Sequence, residues 1–127
     1  FIKHINGVES FSATPNDLDA DNLKFTSYLD NAVYAYQIDT DGLRNIKYSK
    51  GLGSAEILLR NVVKDTTIGA VNYVSKFTYK GKDNTDLGGT PTAVDVHGVE
   101  LTFYLLRGES FYKYTTYATI DEDQLDI

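Results

Sequence analysis

The sequence predicts a mainly β protein, an antiparallel sandwich-like or curled sheet, with one short helix at about residues 54–64. Three observations carry this expectation. Two long alternating segments near the C-terminus read as a hairpin, and shorter segments rich in Val, Ile, Thr, Tyr and Phe alternate with period two. Only one stretch shows apolar residues at helical spacing. The 127 residues fit one domain, 1–127, ending in an acidic arm at 121–127. A chain of this length buries roughly two-thirds of its unfolded surface, enough for a core without disulfides or metal.

The hairpin organises the rest. Val99, Leu101, Phe103 and Leu105 share one face of an extended strand, because side chains alternate across a pleated chain. Arg107-Gly108-Glu109-Ser110 is a short polar run whose glycine can take positive φ. Phe111 to Ile120 then alternates again, with Tyr112, Tyr114, Ala118 and Ile120 on one side.

Earlier in the chain, Asn6-Gly7 is a tight-turn signal between Phe1–Ile5 and a strand over 8–12, predicting a small N-terminal hairpin. Residues 23–38 satisfy both periods, but their Val, Tyr, Thr and Phe content and the central Asp30-Asn31 favour two strands. Arg44 to Tyr48 predicts a short strand. Ser54 can then cap a helix whose stripe is Ala55, Leu58, Leu59, Val62 and Val63. The competing strand reading would leave Asn61 inside. Residues 70–79 predict one strand with Val71, Tyr73, Phe77 and Tyr79 on a face, and 80–92 a long Gly-, Asp- and Thr-rich loop.

Charge narrows the function classes. With 18 acidic against 12 basic residues, net charge −6, and the basic residues scattered, neither nucleic acid nor an anionic membrane surface is an expected partner. No apolar run approaches the roughly 18–20 residues of a membrane helix. The absence of cysteine excludes thiolate metal sites and a cysteine nucleophile.

The motifs for catalysis are missing. His4 and His97 lie in no nucleophile-elbow or metalloprotease pattern, so no catalytic residue is assigned. Gly51-Leu52-Gly53-Ser54 lacks the lysine of a phosphate loop and reads as a helix entry. Asp17, Asp19 and Asp21 stand at alternate positions, as in the start of a calcium loop, which marks them as candidate Ca²⁺ ligands. The glycine and bidentate Glu of an EF-hand are replaced by Asn22 and Tyr28, so any such site is irregular.

The opening Phe1-Ile2-Lys3-His4-Ile5-Asn6-Gly7, followed by short Thr- and Tyr-rich strands, resembles small β-rich structural proteins of tailed bacteriophages. The resemblance implies a virion component, such as a capsid decoration or minor head protein, without catalysis. The residues by themselves are compatible with it: an acidic, Tyr-rich β protein can dock through free strand edges. The expected function is therefore structural, with copies of itself or a larger protein assembly as partner and a virion or extracellular location. Tyr112, Tyr114 and Tyr117, with Phe1 and Ile2, are the candidate interface residues. The alternative is a carbohydrate- or calcium-binding β-sandwich module of a secreted protein.

Overall fold

The computed structural model describes residues 8–14, 17–27, 31–38, 45–51, 53–63 and 65–119. Strands β1 (Val8–Phe11), β2 (Asn22–Ser27), β3 (Val33–Ile38), β4 (Ile46–Lys50) and β5 (Glu56–Leu59) form a five-stranded antiparallel meander. Its inner face carries Leu23 and Phe25 on β2, Tyr34, Tyr36 and Ile38 on β3, and Ile46 on β4, all buried. Alternation puts them there: the cross-strand partners Phe25–Tyr34, Leu23–Tyr36 and Ile38–Ile46 share a side. Phe25 stacks on Tyr34 at 5.6 Å and on Tyr36 at 6.2 Å, and Tyr36 stacks on Tyr48 at 5.7 Å, so an aromatic row crosses three strands.

The second sheet is built on β10 (Gly98–Arg107). On one side β11 (Ser110–Thr119) pairs with it along its whole length. On the other side two strands lie end to end: β9 (Lys76–Lys80) opposite residues 98–102, and β6 (Val62–Val63) opposite Tyr104 and Leu105. Between β6 and β9 the chain leaves as a separate hairpin, β7 (Asp65–Ile68) and β8 (Val71–Val74). Ser75, fully buried, fills the break. Its hydroxyl donates to the Val63 carbonyl and accepts the Tyr104 N–H, replacing a strand residue in the ladder. One apolar core takes residues from both sheets, including Phe25, Tyr36 and Ile46 from the first and Phe77, Tyr79, Val99 and Leu101 from the second. The predicted antiparallel, sandwich-like β architecture is what the chain forms.

Two elements differ from the sequence expectation. No helix occupies the described residues of the expected 54–64 segment, 54–63: Glu56–Leu59 pairs with β4 and Val62–Val63 with β10. The supposed stripe splits, with Ala55 and Leu58 exposed while Val62 and Val63 are buried. Asn61 is not inside either. It sits in the turn between the two strands at φ +61, where an Asn side chain is tolerated, and so interrupts the alternation. The strand expected over 70–79 is likewise two strands in different sheets, broken at Ser75. Val71 is consequently half exposed, whereas Phe77 and Tyr79 are buried. Strands β2 and β3 fall where two strands were expected in 23–38. The proposed N-terminal turn at Asn6-Gly7 and the acidic arm at 121–127 lie outside the described residues.

Candidate functional site

The β10–β11 hairpin closes through a two-residue loop, Gly108-Glu109, between the paired Arg107 and Ser110. Gly108 has φ +62, the conformation that a loop of this length demands and that glycine reaches without a Cβ clash. In a two-residue hairpin the closing pair exchanges hydrogen bonds, so the sense of every later backbone group follows by alternation. Even-numbered residues of β11 point their N–H and C=O toward β10, and odd-numbered ones point outward. The far side of β10 agrees: the N–H groups of Tyr104 and Leu106, directed away from β11, bond to Ser75 Oγ and to the Asn61 carbonyl, each at 3.0 Å.

The amides and carbonyls of Phe111, Lys113, Thr115, Tyr117 and Thr119 therefore face outward at the end of the sheet. Among the described residues none hydrogen-bonds to them. The edges of the other sheet are blunted. β1 carries a register shift between Val8 and Ser10, and β5 shifts against β4 so that Leu58 stands unpaired. Such bulges are a common protection against edge pairing. The outer side of β9 is covered by bonds from the Phe77 N–H to the Ala20 carbonyl, 2.9 Å, and from the Leu87 N–H to the Tyr79 carbonyl, 3.0 Å. By contrast, all 10 residues of β11 pair one to one with β10, and the strand contains neither proline nor bulge.

The structure separates the three tyrosines expected to act together. Tyr112 and Tyr114, 48% and 43% exposed, share a face, and Tyr114 stacks on Phe103 at 5.3 Å. Tyr117 has the other parity and lies on the opposite face. Its hydroxyl donates to Asn84 Oδ1 at 3.2 Å, and its ring covers Gly98, where an added Cβ would stand 2.7 Å from the phenol oxygen. That opposite face also carries Phe111, whose ring is 4.4 Å from Tyr73 of the β7–β8 hairpin. Tyr117, 40% exposed, is nearly as open as Tyr114 and differs from the other two in its face and in its hydrogen bond to Asn84. Phe1 and Ile2 lie outside the described residues.

The acidic loop is a seam between the sheets. Asp19 Oδ1 accepts from the N–H groups of Asp21 and Asn22, each at 2.8 Å, and from the Asn22 amide at 3.1 Å. This is an Asx turn, in which a short side chain replaces a backbone acceptor. Asp17 accepts from Ser12 Oγ at 2.6 Å and lies 3.8 Å from Lys24 Nζ. The Asp21 carbonyl takes the Ile38 N–H. From the second sheet, the buried Tyr79 hydroxyl reaches the carbonyls of Asp19 and Asn22 at 2.9 and 2.6 Å, with its one hydrogen shared between them. Burial, reinforced by the Asp19 carboxylate, pushes this phenol well above its ordinary range, which keeps it a neutral donor. Asp17 and Asp19 are thus turned to separate partners. Among the described residues no group of three or more His, Asp or Glu side chains gathers to hold a metal ion.

A shallow cleft of about 370 Å³ lies between the end of β1 and the long loop, lined by Ser12, Thr14, Leu18, Thr90, Pro91 and Thr92 among others. Among the described residues, neither an aromatic platform nor a charged side chain lines it. Comparison with known proteins returned no matching family model, no matching curated protein and no matching solved structure.

The sequence pointed to the C-terminal hairpin through its side chains. The distinctive feature is the outward backbone of β11, which no residue type announces. Its signal in the sequence was the length of an alternating run containing neither Pro nor Gly.

Proposed function

We propose that the chain is a non-catalytic assembly protein that docks on, or forms part of, a larger protein shell such as a phage virion, and that β11 is its docking strand. The observation that carries this reading is the unbulged 10-residue edge with outward backbone groups and the half-exposed Tyr112 and Tyr114 beside it. An exposed edge of this kind takes an added strand, with main-chain hydrogen bonds supplying affinity and alternate side chains supplying selectivity. Half-exposed tyrosines suit such a contact, since each offers a large rigid apolar ring with a polar tip.

The test is density-gradient sedimentation of material from the native source, with the chain detected by antibody. Assembly predicts recovery in particles of high mass, and loss from that fraction when Tyr112→Ala and Tyr114→Ala are combined with Thr115→Pro. Recovery only as free chain, or undiminished recovery of the triple variant, refutes the reading.

A further inference from the structure

We infer that the strand added to β11 is β11 of a second copy, joined antiparallel about a two-fold axis at Tyr114 so that one sheet runs through both molecules. This deepens the docking-strand reading and rests on it. A two-fold perpendicular to the sheet preserves each face, so residues i and j can be partners only when i + j is even. It also preserves the hydrogen-bonding sense, and outward-pointing odd residues meet odd residues. These constraints leave few registers near the middle of the strand.

Side-chain chemistry chooses among them. Centring the axis on Lys113 sets two lysines directly opposite, which like-charge repulsion disfavours. Centring it on Thr115 places Lys113 against Tyr117 and Tyr114 against Thr116, with no aromatic pair. Centring it on Tyr114 pairs Tyr114 with its twin, Phe111 with Tyr117 in both directions, and Lys113 with Thr115. Every ring on the strand except Tyr112 then meets another ring, and the lysines are apart. The stack of Phe103 on Tyr114 extends across the axis into a row of four rings. The pairs Lys113–Thr115 and Phe111–Tyr117, each made twice, supply about eight N–H···O bonds from groups that β10 leaves unused.

Charge points to the same occupant. The chain carries net charge −6, with 18 acidic against 12 basic residues, so two copies repel at long range. Residues 110–119 contain no carboxylate and one lysine. This strip brings no carboxylate to a second copy.

The chain has no cysteine, so single-cysteine variants report the geometry cleanly. At the axis Tyr114 belongs to a non-hydrogen-bonded pair with Cα atoms about 4.5 Å apart, within disulfide range. Tyr112 lies four residues from its twin, about 14 Å along the strands, beyond any disulfide. The purified full chain is expected to be a dimer by light scattering. Under mild oxidation Tyr114→Cys is expected to form covalent dimer at least 10-fold faster than Tyr112→Cys, and Thr115→Pro to be monomeric with an unchanged far-ultraviolet spectrum. Should Thr115→Pro unfold, the ratio of the two cysteine rates still decides the matter. Equal rates, a faster Tyr112→Cys, or a folded Thr115→Pro that remains dimeric overturns the inference. A wild-type chain that stays monomeric up to millimolar concentration also overturns it. If Thr115→Pro then still abolishes particle recovery, the docking strand stands and its partner is a different protein.

Discussion

Replacing Ser75 by alanine tests whether one hydroxyl joins β6, β9 and β10. Its oxygen serves two backbone groups, the Val63 carbonyl and the Tyr104 N–H, at a site with no exposure to water. Removing it leaves an acceptor and a donor inside the sheet with no replacement, and alanine leaves a space too small to hold a well-bonded water. A buried polar group that loses its partner costs about 1–3 kcal/mol. Two such groups, partly relaxed, give a loss of about 2–4 kcal/mol. Against a typical total of about 5–15 kcal/mol this is a large fraction. For a chain of this size it lowers the melting temperature by roughly 6–16 °C. Urea unfolding of the two proteins measures the loss directly, with an unchanged m-value showing that the denatured state is the same. Amide exchange localises it, since the Tyr104 N–H should lose protection while that of Leu106, bonded to Asn61, retains more. A loss below about 0.5 kcal/mol, in the range of an inert surface substitution, refutes the bridging role.

Gly98→Ala drives a methyl group to within 2.7 Å of the Tyr117 phenol oxygen and should destabilise by about 1–3 kcal/mol; adding Tyr117→Ser should recover part of that, measured as a double-mutant cycle in urea. Stability should fall at alkaline pH, because burial raises the phenols of Tyr36 and Tyr79. Each contributes stability that is complete below the unfolded value near 10 and is lost as pH rises through the window above it, at about 1.4 kcal/mol per pH unit and group. Urea midpoints above about pH 10 should therefore drop more steeply in the wild type than in Tyr79→Phe; equal slopes would sink the argument. Asp19→Ala removes the acceptor of the Asx turn and should cost about 1–2 kcal/mol, whereas Asp19→Asn, which keeps the oxygen, should cost less. Addition of Ca²⁺ should leave the melting temperature of the wild type unchanged, and a rise that Asp17→Asn and Asp19→Asn abolish would restore these carboxylates as ligands.

What the sequence determined by itself is the β character of the chain and the C-terminal hairpin. Period-two alternation and turn residues are local properties, set by the pleat and by φ, and they hold wherever the strand is placed. The parity that puts Tyr112 and Tyr114 on one face and Tyr117 on the other is equally local. Which partner each strand takes is not. Leu59 and Val63 satisfy helical spacing and extended spacing alike, and the ladder bonds offered by β4 and β10, brought from both directions along the chain, decided for strands. Nothing around Ser75 shows that a run of alternating residues must break there; the break exists because β10 is long enough to accept two strands end to end. Nothing in the acidic stretch 17–21 shows that Tyr79, 60 residues from Asp19, holds its loop against the second sheet through backbone carbonyls. The open edge of β11 is likewise a property of the assembled sheet. Hydrogen bonding between strands is non-local, so only the tertiary arrangement determines which backbone groups are left facing outward.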